Sequence, residues 1–281
     1  MIISELKEFF KNQISGIYTD AETSELFSIF CSQILGMDKF ELRISQHNSV
    51  SEEQKGVFKK LISELKTGKP YQQILGETEF YRLKFFVDEN VLIPRPETEE
   101  LLELAISEIQ KNNVTDLKIL DIGTGSGIIP IVMKKKFPEA KVSAIDFSEK
   151  ALKTAQKNAD FHKVAINFMH QNYLSEDLTE NYNIIISNPP YIGIDEENEI
   201  ADSVKEFEPK MALFSPTSNA LIFYEKIAKD CKNHLTENGM VFLEINQKLG
   251  EETKALFTDV LSEVHLIKDI SGNDRFVFGR K

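Results

Sequence analysis

The stretch Lys118-Ile-Leu-Asp-Ile-Gly-Thr-Gly-Ser-Gly127 decides the fold of this chain. Its apolar first half predicts a buried β-strand, and its alternating glycines predict a turn that leads into a helix. Glycine lets the backbone approach a ligand closely, and the first N–H groups of the following helix then point at that ligand. The stretch therefore predicts an α/β fold with a ligand site at the carboxyl end of this strand.

The spacing of the glycines separates three cofactor classes. A dinucleotide fingerprint needs its third glycine at position 128, where Ile128 stands, and a Walker loop needs a Lys after Gly127. The remaining pattern, Asp-x-Gly-x-Gly-x-Gly, resembles the first motif of class I (Rossmann-like) S-adenosylmethionine-dependent methyltransferases. A glycine turn made for packing alone is the alternative. Three alternating glycines lower the stability of the fold, however, and close approach of a ligand is the reason that would justify that cost.

Residues after the next two predicted strands extend this cofactor site. Asp146 ends strand 141–146, where a carboxylate can accept hydrogen bonds from both ribose hydroxyls of a nucleoside. A helix cap is the alternative role, and the neighbouring Ser148 can fill it instead. We expect Phe147 to lie against the adenine ring, and the carbonyl of Asn172 to accept a hydrogen bond from the adenine amino group.

The segment Ile184-Ile-Ile-Ser-Asn-Pro-Pro-Tyr191 predicts a buried strand that ends in a polar turn. Its prolines remove two N–H donors, so the turn presents carbonyl oxygens. An –NH2 group with a delocalised lone pair can be methylated if Asn188 Oδ1 and the Pro189 carbonyl accept its two hydrogens. Those acceptors and the ring of Tyr191 would stabilise the positive charge that develops on nitrogen. A chance turn of this sequence is the alternative.

The rest of the chain divides by its periodicity. Apolar residues at helical spacing and a capping box at Ser51-Glu-Glu-Gln54, opening a helix that ends at Gly68, predict a small all-helical bundle over residues 1–76. Residues 77–96 predict a linking β-hairpin with its turn at Asp88-Glu89-Asn90.

Alternating strands and helices over residues 97–281 predict a mostly parallel seven-stranded sheet. Only Asp269 to Asn273 separates the last two strands, which is too short for a crossover helix. We therefore expect those two strands to pair antiparallel or not to be neighbours.

Composition narrows the possible partners. The 281 residues carry a formal net charge of −12, which opposes broad contact with a nucleic-acid backbone. Cys31 and Cys231 are too far apart in sequence for a paired zinc motif, and the five His are scattered, so we expect no metal. No stretch approaches the ~18 apolar residues of a membrane span. We expect a cytoplasmic protein, a monomer, with no membrane or direct nucleic-acid partner.

A series of motifs in one order separates enzymes that methylate nucleobases from enzymes that methylate glutamine. Besides the glycine loop and Asn188 to Tyr191, the series contains Tyr71-Gln-Gln-Ile-Leu-Gly76, Glu79-Phe80, Ile93-Pro-Arg-Pro-Glu-Thr-Glu99, Phe207-Glu-Pro209, Gly272-Asn-Asp-Arg275 and Gly279-Arg280. It resembles the bacterial peptide chain release factor glutamine methyltransferases over nearly the whole chain after residue 70. The resemblance implies that the helical bundle and the class I domain (97–281) grip a release factor. It further implies that the side-chain nitrogen (N5) of the glutamine in the Gly-Gly-Gln loop of that factor is methylated from S-adenosylmethionine.

The resemblance also assigns site residues. Asn188, Pro189, Pro190 and Tyr191 would hold the glutamine, with Asn188, Pro189 and Tyr191 as catalytic residues. The cofactor site would contain Gly123, Thr124, Gly125, Ser126, Gly127, Asp146, Phe147, Asn172, Tyr173 and Asn188. Tyr173 stands where the family commonly has a larger aromatic residue.

Two other function classes stay open on the sequence alone. An adenine-N6 or cytosine-N4 methyltransferase would share the cleft, but it should carry a basic track and a target-recognition domain, for which the chain offers neither the charge nor the length. A binding module built on an inactive methyltransferase fold is the other, and the intact glycine loop, Asp146 and Asn-Pro-Pro-Tyr segment stand against it.

Overall fold

The computed structural model describes residues 1–112, 116–193 and 202–281. The chain forms two compact units, Met1–Leu75 and Gly76–Lys281.

The first unit is all-helical. Its helices are α1 (Ile3–Ile14), α2 (Asp20–Leu35), α3 (Lys39–Ile44), α4 (Glu52–Leu65) and α5 (Tyr71–Leu75). Their core contains the aromatic side chains Phe10, Phe27, Phe30 and Phe58. The predicted capping box is confirmed, since Gln54 N–H donates to Ser51 Oγ at 3.1 Å and Ser51 N–H donates to Gln54 Oε1 at 3.0 Å. This helix ends at Leu65, a few residues before the Gly68 expected from the sequence.

The second unit opens with a β-hairpin, and the position predicted for its turn is wrong. Strands β1 (Glu77–Phe80) and β2 (Leu83–Phe86) pair antiparallel, so the turn is Tyr81-Arg82. Both turn residues have left-handed φ values, 53° and 56°, as a two-residue hairpin turn of type I′ requires. The glycine or asparagine that usually marks such a turn is absent. Asp88 instead forms a local turn by accepting the Asn90 N–H at 2.8 Å.

Seven strands of the second unit form one sheet. In chain order the remaining elements are α6 (Pro96–Lys111), β3 (Lys118–Ile122), α7 (Ile128–Lys136), β4 (Lys141–Asp146), α8 (Glu149–His162), β5 (Asn167–His170), β6 (Tyr182–Ser187), α9 (Asp202–Phe207), α10 (Lys210–Leu213), α11 (Ile222–His234), β7 (Leu235–Glu244), α12 (Gly250–Thr258), β8 (Glu263–Lys268) and β9 (Asp274–Arg280). The sheet order is β5-β4-β3-β6-β7-β9-β8. Only β9 runs against its neighbours, and its antiparallel pairing with β8 confirms the prediction for the last two strands.

Apolar side chains cover both faces of this sheet. One face packs with α6, α7 and α8 through residues such as Leu101, Ile131 and Ala159, and the other packs with α11 and α12 through Tyr224 and Phe257. The chain runs outward from β3 to β5 and then returns to β6, on the other side of β3. Ligands of open α/β sheets bind in the crevice at such a switch point, at the carboxyl ends of the strands.

Candidate active site

A cavity of about 620 Å³ lies at the carboxyl ends of the central strands. That volume is within the range of small-molecule sites. Among the predicted site residues, those that line it are Gly123, Gly125, Asp146, Phe147, Asn172, Tyr173, Asn188 and Pro190. Thr124 and Ser126 line a smaller cavity of about 40 Å³, and Asn188 borders both. Gly127, Pro189 and Tyr191 border neither of these two cavities.

The glycine loop is anchored to the neighbouring strand through its backbone. The N–H groups of Gly123 and Thr124 donate to the Ile145 carbonyl at 2.9 and 3.0 Å. Gly127 has φ +80°, and a Cβ at this position would approach Ala155 Cβ to 3.0 Å. It therefore serves close packing of the loop against α8, while Gly123 and Gly125 leave open space towards the cavity.

Asp146 connects the loop to the start of α8. Its Oδ2 accepts the Gly125 N–H at 2.8 Å and its Oδ1 accepts the Ser148 N–H at 2.8 Å. A carboxylate has about four acceptor sites, so two remain for hydroxyl groups in the cavity. Burial raises the pKa of Asp146, and those two N–H groups oppose the shift. Ser148 caps α8 by accepting the Ala151 N–H at 3.2 Å, which leaves Asp146 free of the capping role.

The aromatic residues of the predicted cofactor site differ in exposure. Phe147 lines the cavity and is 56% exposed, so its ring is accessible to a planar ligand group. Tyr173 is buried, with Lys226 Nζ 5.0 Å from its ring centroid. Burial, followed by the charge of Asp230, raises the pKa of Tyr173 well above its usual value, so its hydroxyl stays neutral.

The Asn-Pro-Pro-Tyr segment begins where β6 ends beside the glycine loop. Ser187 Oγ donates to the Ile122 carbonyl at 2.7 Å and so ties the ends of β6 and β3 together. Asn188 then faces the cavity. The Tyr191 hydroxyl donates to Glu244 Oε1 at 3.4 Å. Burial, followed by the charge of Glu244, raises the pKa of Tyr191. The phenol group is thus directed at Glu244, and the ring packs at the edge of the core on that face of the sheet.

Several residues of the site carried no assigned role in the sequence. The cavity wall also includes Asn90, Val91, Leu92, Lys210, Met211, Ala212, Phe214, Ser215, Pro216, Thr217, Ile222 and Phe223. Two of the quoted motifs meet near this wall. Arg95 pairs with Glu208 at 2.6 Å, and Glu208 also accepts the Ile93 N–H at 2.9 Å. The sequence identified Ile93, Arg95 and Glu208 only as members of the motif series. That series did not predict that the three residues lie close together in space.

A buried carboxyl lies beneath the glycine loop. Asp121 is 0% exposed, and neither of its oxygens nor the Thr124 hydroxyl has a hydrogen-bond partner among the residues described. Burial raises the pKa of Asp121 to about 7, while the nearby Thr124 hydroxyl opposes the shift and the Asp146 charge adds to it. The glycine loop, the acceptor capacity of Asp146 and the exposed ring of Phe147 fit a nucleoside ligand. S-adenosylmethionine is such a ligand.

Two family descriptions match the chain. Residues 100–206 match the methyltransferase small domain, and residues 6–76 match the PrmC N-terminal domain. Among solved structures, a methyltransferase from Pyrococcus furiosus has a TM-score of 0.53 at 18% identity, covering 75% of this chain and 94% of that one. A 16S rRNA N2 G1207 methyltransferase from T. thermophilus, in complex with AdoMet and guanosine, has a TM-score of 0.53 at 15% identity, covering 73% of this chain and 49% of that one. Both similarities concern the fold.

Curated relatives are similar over the whole length. A release factor glutamine methyltransferase of Flavobacterium psychrophilum is 43% identical over 99% of this chain and 98% of its own. The proteins of the same name from Streptococcus pneumoniae and Bacteroides thetaiotaomicron are 36% and 35% identical, over 97% and 98% of this chain and 97% and 99% of their own. With a class I methyltransferase sheet and a site that suits S-adenosylmethionine, the chain belongs to the release factor glutamine methyltransferases.

Proposed function

We propose that this methyltransferase transfers a methyl group from S-adenosylmethionine to the side-chain amide nitrogen of a glutamine in a peptide chain release factor. The observation that carries the proposal is the position of Asn188, at the border between the two cavities and directly beside the glycine loop. The names and the full-length similarity of the curated relatives support the substrate class.

In the proposed cofactor site, each described residue has one task. Gly123 and Gly125 leave room for the cofactor, and Asp146 accepts its ribose hydroxyls through the lone pairs that Gly125 and Ser148 do not use. Phe147, Asn172 and Tyr173 border the part of the cavity that suits the adenine ring. When bound, the cofactor supplies an electrophilic methyl group on a positively charged sulfur.

In the proposed substrate site, the turn after β6 aligns the reacting nitrogen. Asn188 Oδ1 and the Pro189 carbonyl accept the two amide hydrogens, so the nitrogen lone pair turns towards the methyl carbon. Pro190 borders the large cavity together with Asn188. The nitrogen is a weak nucleophile, so alignment and stabilisation of its developing positive charge must supply most of the acceleration. The nitrogen would gain the methyl group as the bond between that methyl and the cofactor sulfur breaks, and it would release one proton to solvent.

The docking of the release factor is proposed for the first unit. Its five helices have a core of their own, so it offers a stable surface at some distance in sequence from the catalytic residues. We propose residues 1–76 as the docking domain, 77–96 as the linker and 97–281 as the catalytic domain, in a monomeric cytoplasmic enzyme. Among the described residues no helix is long and apolar enough to cross a membrane.

The test is methyl transfer to a purified release factor, followed by mass spectrometry of the peptide that contains the Gly-Gly-Gln loop. We expect one added methyl group on the glutamine, and none on a release factor in which that glutamine is replaced by glutamate. A DNA oligonucleotide with adenine and cytosine is tested in parallel. Methylation of the DNA without methylation of the release factor would refute the proposal.

The role of Asn188 is tested by replacing it with alanine. We expect Asn188→Ala to slow single-turnover methyl transfer by ~10²–10³, as for the loss of one preorganised polar contact to a transition state. Cofactor affinity, measured separately by calorimetry, should fall much less. An unchanged rate of transfer would mean that the turn after β6 is only structural.

A further inference from the structure

A line of buried polar side chains leads from the interior of the second unit to Asn188. Glu244, at the end of β7, and Thr98, in α6, are each 1% exposed. Thr98 Oγ1 donates to Glu244 Oε2 at 2.8 Å, and Asn188 Nδ2 donates to Thr98 Oγ1 at 3.2 Å. Both hydrogen bonds that connect Glu244 to Asn188 are between side chains.

The single hydrogen of Thr98 decides the direction of these bonds. Because that hydrogen goes to the Glu244 carboxylate, the Thr98 oxygen can only accept from the other side. The amide of Asn188 must then present its –NH2 group to Thr98. With its amide reversed, Asn188 Oδ1 would face the lone pairs of the Thr98 oxygen with no hydrogen between them. The same arrangement leaves Oδ1, the acceptor that the reaction needs, for the substrate.

Groups from α6, β9 and the turn after β6 surround the Glu244 carboxyl. Burial raises its pKa to about 7, the charge of Glu97 adds to the shift, and the Thr98 hydroxyl, the Arg275 charge and the Tyr191 hydroxyl oppose it. The Tyr224 hydroxyl donates a hydrogen bond to the backbone carbonyl of Glu244 at 3.0 Å. At pH 8 the ionised carboxylate therefore has only acceptors to offer to Thr98.

We infer that Thr98, held by Glu244, is a positioning residue that fixes the amide of Asn188 with its oxygen towards the substrate. The inference rests on the proposed function for the identity of that substrate. Without the Thr98–Glu244 bond, the amide of Asn188 can rotate, and part of the enzyme would then present –NH2 to the –NH2 group of the glutamine.

The inference is tested at pH 8 with Thr98→Val, which keeps the shape of the side chain and removes the hydroxyl. We expect single-turnover methyl transfer to slow by about tenfold, the value of one net hydrogen bond. The cofactor dissociation constant and the KM for the release factor should stay within about twofold. Thr98→Ser should keep most of the rate. The matched control is Thr253→Val, another fully buried threonine, whose hydroxyl has no partner among the described residues, and we expect no effect from it.

Glu244 provides a second pair of variants. Glu244→Met frees the Thr98 hydrogen and should slow transfer as Thr98→Val does, and replacing a buried charge by an apolar side chain is often tolerated by the fold. Glu244→Gln retains an acceptor oxygen and should keep most of the rate. Equal rates for Met and Gln at position 244 would overturn the inference.

A double-variant experiment separates positioning from general structural support. In the Asn188→Ala background, Thr98→Val should slow transfer no further, because the group it positions is gone. An equal slowing in both backgrounds would mean that Thr98 acts by another route, and the inference would be wrong.

A measurement without substrate keeps the inference separate from the proposed function. In the NMR spectrum of ¹⁵N-asparagine-labelled protein, the signal of the Asn188 –NH2 group is identified by its loss in Asn188→Ala. We expect Thr98→Val and Glu244→Met to shift that signal, and Thr253→Val to leave it in place. An unmoved signal refutes the inference, whereas a wild-type protein that methylates no release factor refutes the proposed function.

Discussion

Replacing Asp121 by asparagine is expected to raise the stability of the second unit relative to the wild type by an amount that grows with pH. Asp121 is 0% exposed in β3, and both carboxylate oxygens lack a hydrogen-bond partner among the described residues. An ionised carboxylate in such surroundings is costly, and the group remains protonated up to a higher pH instead. Burial accordingly raises the pKa of Asp121 from 3.8 to about 7.

The magnitude follows from the linkage between folding and proton binding. Because the pKa is higher in the folded state, the stability that the protonated group provides is complete below about pH 4 and is lost as the pH rises through about 7. Each pH unit between those values costs about 1.4 kcal/mol of unfolding free energy. Asparagine does not titrate. The difference in unfolding free energy between Asp121→Asn and the wild type should therefore grow by about 2.5 kcal/mol from pH 5 to pH 8.

Urea unfolding at pH 5, 6, 7 and 8 measures this difference, with circular dichroism as the probe because the chain contains no Trp. Native-state hydrogen exchange of the β3 amides reports the sheet separately from the helical unit. Asp230→Asn is the matched control, since Asp230 is also buried but pairs with Lys226 at 2.9 Å. It should destabilise the protein at pH 8. A difference for Asp121→Asn that does not change with pH would refute the reasoning.

Three further predictions concern the cofactor site and the packing. Asp146→Ala should weaken S-adenosylmethionine binding by ~1.5–3 kcal/mol, and an unchanged dissociation constant in calorimetry would exclude Asp146 from the site. Gly127→Ala should lower the unfolding free energy more than Gly272→Ala does, because both have positive φ but only the Cβ at 127 meets a neighbour, at 3.0 Å. Burial raises the pKa of Cys31 to about 12 and also raises that of Cys231, so thiol reagents should label both only in urea.

The sequence alone determined the architecture of the second unit because its local patterns agree with its tertiary fold. The strand before the glycine loop and strand 141–146 have the predicted bounds, and the short connection between the last two strands required the antiparallel pairing that is observed. The hairpin turn was misplaced because Tyr81 and Arg82 adopt left-handed φ without the residues that usually favour it. The pairing of β1 with β2 offsets the energetic cost of the left-handed φ values at Tyr81 and Arg82. No local sequence pattern predicts that pairing.

The separate parts of the site could also be predicted from the sequence, since each lies at or just after the end of a strand. Asp146 and Asn188 both border the large cavity, as strand order at a switch point requires. Their partners were not readable. Arg95 and Glu208 are distant in sequence, as are Thr98 and Glu244. They meet only because the folded chain packs α6 beside β7 and brings the residue after α9 to Arg95.

The tertiary structure also decided which side-chain atoms act. Asn188 reads in the sequence as a candidate acceptor, but an amide can present either its oxygen or its –NH2 group. The choice depends on the one hydrogen of Thr98 and on a carboxylate that approaches from the end of β7. Sequence patterns report periodicity and turn chemistry, which are local. Hydrogen-bond direction depends on which groups the folded sheet brings within 3 Å or so of each other, and only the folded chain determines that.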